Sequence, residues 1–486
     1  MSQEVRNLEP KIVWNHFADL NAVPRPSKKE ERIIQFMVDF GKQLNLETKV
    51  DEVGNVIIKK PATSGMENRK KVVLQGHLDM VHQKNANTIF DFEKQGIEMF
   101  VDGDWVKAKG TTLGADNGLG VAAIMAVLSS NDIPHPAIEA LFTIDEETGM
   151  TGAMGLKPDV LKGDILLNLD TEEDDEIGIG CAGGVDVTAS KTYEAEKTPK
   201  NYISLEISVT GLQGGHSGMD IHKGLGNANK IMNALLNRTY DIFGVRISEI
   251  KGGSLRNAIP RESFAKVALP KENIEDFKKF FVHAVEQQKK LYKETDPKLS
   301  IIFKEIDDLE TVIDIDNQEK LTEALQHTFD GVYRMSPDFE DLVETSNNIA
   351  KVTVADNKMI IECLTRSSVE EGKMKLANLI KNKIENFGFE VTFSGEYPGW
   401  SPNINSSILQ VLESTYKRLF NEQPNVAACH AGLECGILGQ NYPEMEMISF
   451  GPNIKGAHSP DERAQISSTQ KFWKLLKEVL ANIPEK

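Results

Sequence analysis

Cysteine is scarce in this chain. Only Cys181, Cys363, Cys429 and Cys435 occur, and none forms a CxxC pair. That excludes a disulfide framework and fits a reducing cytoplasm. Long apolar runs are missing as well. No stretch approaches the roughly 18–20 residues needed to span a bilayer, and the opening Met1-Ser2-Gln3-Glu4-Val5-Arg6 has no apolar leader core. Positive charge is in deficit: 55 Lys and Arg stand against 73 Asp and Glu, a net charge of −18. This balance argues against nucleic acid and anionic membranes as partners, and it leaves acids available as cation ligands. No internal repeat or low-complexity tract is present. What remains is an ordinary globular composition, 40% hydrophobic and 26% charged. At 486 residues the chain is too long for one core, so two domains or more are expected.

The central stretch is Val72-Val73-Leu74-Gln75-Gly76-His77-Leu78-Asp79-Met80. It reads as a buried strand with His-x-Asp at or just past its C-terminal end, where ligands sit in open α/β sheets. Spacing of two in an extended chain puts both side chains on one face. That suits a metal-ligating imidazole and a carboxylate that orients it. Upstream, Ser27-Lys28-Lys29-Glu30 is a capping-box pattern ahead of Ile33, Phe36, Met37 and Phe40 at helical spacing. Downstream, glycine-rich Gly110–Gly120 opens into the helical run Val121–Leu128. Ile138–Ile144 is a strand ending in Asp145-Glu146-Glu147-Thr148-Gly149, and Ile165–Leu169 is another, ending in Asp170. Strands alternating with helices indicate α/β architecture with a mixed, largely parallel sheet. The pattern changes after Cys181-Ala182-Gly183-Gly184. A β-α-β-β-α-β-like block follows, and Tyr397-Pro398-Gly399-Trp400 reads as its exit. The expected layout is therefore an α/β domain from 1–185 and 399–486, with an α+β domain inserted at 186–398.

His77, Asp116, Glu146, Glu147, Asp170 and His458 each fall at a strand end or in a tight loop. Taken singly, each is more simply a turn or a solvated acid. The repeated strand-end placement is what points to a site. Five of the six suit two divalent cations, zinc in the first place and cobalt or manganese as alternatives. Such a pair polarises a carbonyl and acidifies a shared water. The sixth acid is then free for proton transfer: one of Glu146 and Glu147 ligates, and its neighbour acts as base.

These residues also carry a resemblance. His77-Leu78-Asp79, Gly114-Ala115-Asp116-Asn117-Gly118, Asp145-Glu146-Glu147-Thr148-Gly149, Leu169-Asp170 and Gly456-Ala457-His458-Ser459 resemble, in order, the motifs of the dinuclear zinc peptidases that include carboxypeptidase G2, aminoacylase and carnosinase. The strings Gly214–Gly218, Gly224–Lys230, Leu255–Arg261 and His430–Gly436 are similar to that family's bacterial branch acting on aminoacyl-histidine dipeptides. The likeness runs nearly end to end.

The resemblance implies roles. His77 and Asp170 hold one metal, Glu147 and His458 the other, and Asp116 bridges, with a cis peptide often just after it. Asp79 orients His77 and touches nothing else, and Glu146 is the general base. The inserted domain is a lid. In it, His216 stabilises the oxyanion, from the same chain or from the partner subunit of a dimer formed through the lid. Asn257 and Arg366 are expected to grip the substrate's terminal carboxylate. Glu434, on its chemistry more than on any motif, is expected to pair with the free α-amine, and His82, His135, His222 and His430 to be structural or to support site residues. The implied activity is a cytoplasmic metallodipeptidase for unblocked dipeptides, Xaa-His among them. The rivals are an N-acyl amino-acid amidohydrolase or tripeptidase with the same centre, and a metal-binding structural partner without catalysis.

Overall fold

Four apolar segments form the parallel heart of the first sheet: Val72–His77, Ile138–Thr143, Ile165–Asn168 and Glu446–Ser449. The first three are buried at every residue. Parallel strands covered on both faces have this near-continuous apolar character, because no face is left for polar alternation. The computed structural model describes residues 3–486 apart from 238, 338, 340 and 341. The whole first sheet runs Glu47–Val50, Val56–Lys60, Ile138–Thr143, Val72–His77, Ile165–Asn168, Glu446–Ser449, Glu176–Cys181, Asn425–Cys429. Its antiparallel pairs lie outside the parallel centre. The helix Ala115–Ser129 is apolar almost all round and buried nearly throughout. It belongs in a core and could not serve as a surface helix.

The chain divides into two compact units. One comprises residues up to Cys181, Trp400–Ala428 and Leu433–Lys486; the other comprises Ala182–Gly399 and Cys429–Gly432. The second unit is built on an antiparallel sheet in the order Ser300–Glu305, Tyr202–Thr210, Ser263–Pro270, Arg246–Gly252, Val343–Ala355, Lys358–Ser367, Gly183–Thr192, Glu390–Tyr397. Its core joins Val187, Ile207, Val267 and Ile361 of the strands to Leu235, Phe277, Leu321 and Leu376 of four helices.

The capping box at Ser27 does not form. The helix Glu31–Gln43 starts with no side-chain cap. Glu30 instead accepts from the Lys28 amide at 2.7 Å, and Ser27 Oγ donates to Asp79 Oδ2 at 2.7 Å. The Ser27 hydroxyl is turned to a long-range acceptor, and the local bond from the Glu30 amide to its oxygen is not made. No helix among the described residues is long and apolar enough to cross a membrane.

Candidate metal centre

The C-terminal edge of the parallel strands delivers the acids and the histidine. His77 ends its strand, Asp170 lies just past Ile165–Asn168, and Glu146 and Glu147 just past Ile138–Thr143. Asp116 stands in the first turn of the buried helix, and its peptide bond to Asn117 is cis. His458 sits in a loop at φ 64°, a left-handed conformation that a β-carbon disfavours.

Two ligand triads share one residue. His77, Asp116 and Asp170 form one group, and Asp116, Glu147 and His458 another, each with ligand atoms within 4.8 Å of one another. His77 Nε2 is 3.1 Å from Asp116 Oδ1 and 3.5 Å from Asp170 Oδ1. His458 Nε2 is 3.2 Å from Asp116 Oδ2 and 3.0 Å from Glu147 Oε2. The two oxygens of Asp116 thus face two different imidazoles. Glu146 joins His77 and Glu147 in a third group of the same size.

Asp79 does more than orient His77. Its Oδ1 lies 3.4 Å from His77 Nδ1 and accepts the Glu146 amide at 3.0 Å. Its Oδ2 accepts from Ser27 Oγ and from the Glu147 amide at 3.3 Å. The expectation that Asp79 touches only His77 is therefore corrected: one carboxylate registers the histidine strand and the glutamate turn together. This was not legible because two of its partners are backbone amides.

Charge at the centre is set by burial and by crowding of acids. Burial alone would lower the His77 imidazole, but Asp170, Asp116 and Asp79 hold it well above its ordinary value. Hydrogen bonds to Asp116 and Glu147 raise His458 to about 11. Burial would raise Asp116, yet the two histidines hold it well below the usual carboxylate range. Burial pushes Glu146 well up and Asp170 up to about 6. Glu434 is 1% exposed and raised by burial to about 7. Its Oε2 accepts from Gln75 Nε2 at 2.6 Å and Thr143 Oγ1 at 2.7 Å, while Oε1 is buried without a partner.

The second unit gathers donors. His216 Nδ1 accepts the amides of Gly218 and Met219 at 3.2 and 3.0 Å, so its proton is on Nε2. Arg366 is 4% exposed, donates to Tyr397 OH at 2.6 Å, and brings Nη2 to 3.5 Å from His216 Nε2. No carboxylate among the described residues is in salt-bridge reach of Arg366. The Ser217 amide donates to the Asn257 carbonyl at 2.8 Å, which places exposed Asn257 beside this group. Only glycine fits at 218, since a β-carbon there would lie 1.9 Å from the His430 carbonyl oxygen. His430 is buried and paired with Ser346 Oγ at 2.7 Å.

The model of peptidase family M20/M25/M40 matches residues 73–482. The cytosol non-specific dipeptidase of Escherichia coli is 42% identical over 483 residues, 99% of this chain and all of that protein. The chain belongs to this peptidase family. The crystal structure of aminoacylhistidine dipeptidase from Vibrio alginolyticus is similar at a TM-score of 0.92 and 44% identity, covering 100% of this chain and 99% of that one. A tripeptidase structure from Staphylococcus aureus shares the fold at a TM-score of 0.56 and 17% identity, covering 98% and 99%.

For an M20 peptidase the donor set has to fit metal ions, and here it does. Two imidazoles and several buried carboxylates leave an excess of negative charge that paired dications balance. Asp170 Oδ1 is buried with only the long 3.5 Å approach of His77 Nε2, an acceptor that a cation would satisfy. Four residues of this peptidase escaped sequence reasoning. Arg25 and Glu462 hold the Asp116 loop through backbone groups only, which no spacing reveals. Glu172, raised to about 8 by burial and by Asp116, sits in an acidic run that reads as a solvated loop. Tyr397 reads as part of a linker, yet its hydroxyl receives Arg366.

Proposed function

We propose that this chain is a cytoplasmic two-metal dipeptidase that hydrolyses short unblocked dipeptides, Xaa-His among them. The observation that carries the reading is the pair of ligand triads sharing Asp116, with Glu146 beside them. His77 and Asp170 would hold one ion, Glu147 and His458 the other, and Asp116 both. Two divalent cations, zinc first and cobalt or manganese as alternatives, supply Lewis acidity toward a peptide carbonyl and toward water. Glu146 takes the proton of the attacking water and delivers it to the leaving amine. Asp79 holds His77 and the Glu146 amide in register. His216, with its proton on Nε2 beside Arg366, serves the developing oxyanion. Arg366 and Asn257 receive the terminal carboxylate, and Glu434 offers its unpartnered Oε1 to the α-amine. The inserted unit serves as lid and as the surface of a homodimer.

The E. coli and V. alginolyticus relatives are both named dipeptidases, which favours this reading. An N-acyl amidohydrolase or tripeptidase is the second reading, and a role of Glu434 at the α-amine disfavours the first of these. A buried acid awaiting an amine rejects acylated substrates. The test is a panel on enzyme stripped of metal and refilled with zinc, manganese or cobalt. Ala-His and other free dipeptides should be cut. Acetyl-His turned over as fast as Ala-His would sink the dipeptidase reading, and no turnover with any metal would leave only a metal-binding structural role.

A further inference from the structure

We propose that Glu462 and Arg25 are positioning residues that fix the bridging carboxylate, Asp116, and through it couple the two cation sites. The inference rests on the two-metal reading above. Three backbone segments have to meet for the triads to form: the end of Val72–His77 with His77, residues 113–116 with Asp116, and residues 456–462 with His458.

Arg25 joins the first to the second. Its Nη1 donates to the carbonyls of Leu78 and Asp79, both at 3.0 Å, and its Nη2 to the Gly114 carbonyl at 2.6 Å. Glu462 joins the second to the third. Its carboxylate accepts four consecutive amides: Leu113 at 2.7 Å and Gly114 at 2.9 Å on Oε2, Ala115 at 2.7 Å and Asp116 at 3.2 Å on Oε1. The amides of the loop go to the carboxylate and a carbonyl goes to the guanidinium, so the segment is gripped at both poles. Gly114 has φ 70°, and a β-carbon there would lie 2.6 Å from Arg25 Nη2. Both side chains are 2% exposed.

Four donors on two oxygens require a carboxylate. A glutamine at 462 turns an NH2 group toward two of the N–H donors, which loses two bonds and opposes donor to donor. Asp116 belongs to both triads, so a displaced loop weakens both cations together. Loss of His458 removes a ligand from one.

The test titrates metal-stripped wild type, Glu462→Gln, Glu462→Asp and His458→Ala with Co2+, followed by calorimetry, visible absorption and electron paramagnetic resonance. Thermal unfolding of the stripped proteins runs alongside. Wild type should take up two ions with coupled spins. Glu462→Gln should weaken both binding steps by about 10- to 100-fold, as supporting contacts to metal ligands do, and lose the coupling. Glu462→Asp, which keeps both oxygens, should recover part of each, and His458→Ala should weaken one step only. Two ions bound by Glu462→Gln with wild-type affinity and coupled spectrum would overturn the proposal. So would a loss that tracks a lower melting temperature of the stripped protein and that aspartate does not relieve. Fewer than two ions on wild type would instead bring down the two-metal reading itself.

Discussion

Two regions of this molecule crowd ionisable groups together, and they are unbalanced in opposite senses. At the metal centre, His77, His458 and Arg25 face Asp79, Asp116, Glu146, Glu147, Asp170, Glu434 and Glu462. In the second unit, buried Arg366 stands with His216 and His430 and has no carboxylate within salt-bridge distance among the described residues. Burying like charges is costly unless a counter-charge arrives. A region rich in acids is therefore built for cations, and a region rich in donors for an anion. On the proposed function, metal ions would answer the first, and the carboxylate of a free dipeptide the second.

The largest effect separates chemistry from cation holding inside the acidic region. Glu146→Gln keeps size and removes the proton acceptor. Turnover of Ala-His should fall by about 10²- to 10⁴-fold, the usual worth of a general base, while two metal ions still bind by elemental analysis. Unchanged turnover would mean that the acids serve only to hold cations.

A smaller effect probes the donor-rich region. Arg366→Met removes the guanidinium. Charge-assisted hydrogen bonds are worth about 1.5–3 kcal/mol, so kcat/KM for Ala-His should drop roughly 10- to 100-fold, mostly through KM. The amide Ala-His-NH2 lacks the carboxylate and should be hydrolysed equally by both proteins. A matching loss on the amide would show that Arg366 supports the fold and does not bind the anion.

The two regions also differ in how far the sequence discloses them. His77, Glu147 and Asp170 stood out because apolar strands end visibly and an acid or histidine follows, and Asp116 and His458 because each sits in a tight glycine-containing loop. The α/β character was legible from periodicity, whereas the second unit is larger than a β-α-β-β-α-β block, among the described residues a nine-stranded sheet with four helices packed on it. Ser27 was misread because its three-residue spacing to Glu30 mimics a local cap, whereas its acceptor is Asp79. Arg25 and Glu462 were invisible because they bind distant main chain, which carries no side-chain signature. The donor group joins residues 216, 257, 366, 397 and 430: Arg366 and Tyr397 both pair with Gly184 in the second sheet, a separate ribbon pairs His216 with Ala258 next to Asn257, and the segment Cys429–Gly432 brings His430. A pairing register of that kind is not written in any one segment.

The smallest effect concerns the pH response of the donor region alone. His430 is 5% exposed, and burial, then Arg366 and His216, lower its pKa to about 3. Burial and Arg366 lower His216 to about 4. Both folded values lie below the ordinary 6.5 of an unfolded histidine. The unfolded chain therefore binds the extra proton in this window, and stability falls as pH drops from about 6.5 toward these values. Above 6.5 the contribution is fully present. Between pH 7.5 and pH 5, His430 alone accounts for about 2 kcal/mol of that fall. Glutamine at this position can still bond Ser346 but cannot titrate. Urea denaturation of His430→Gln should accordingly show a shallower decline over this range than wild type. Equal declines would mean that the His430 imidazole is not held neutral, and that the donor region tolerates more positive charge than its burial implies.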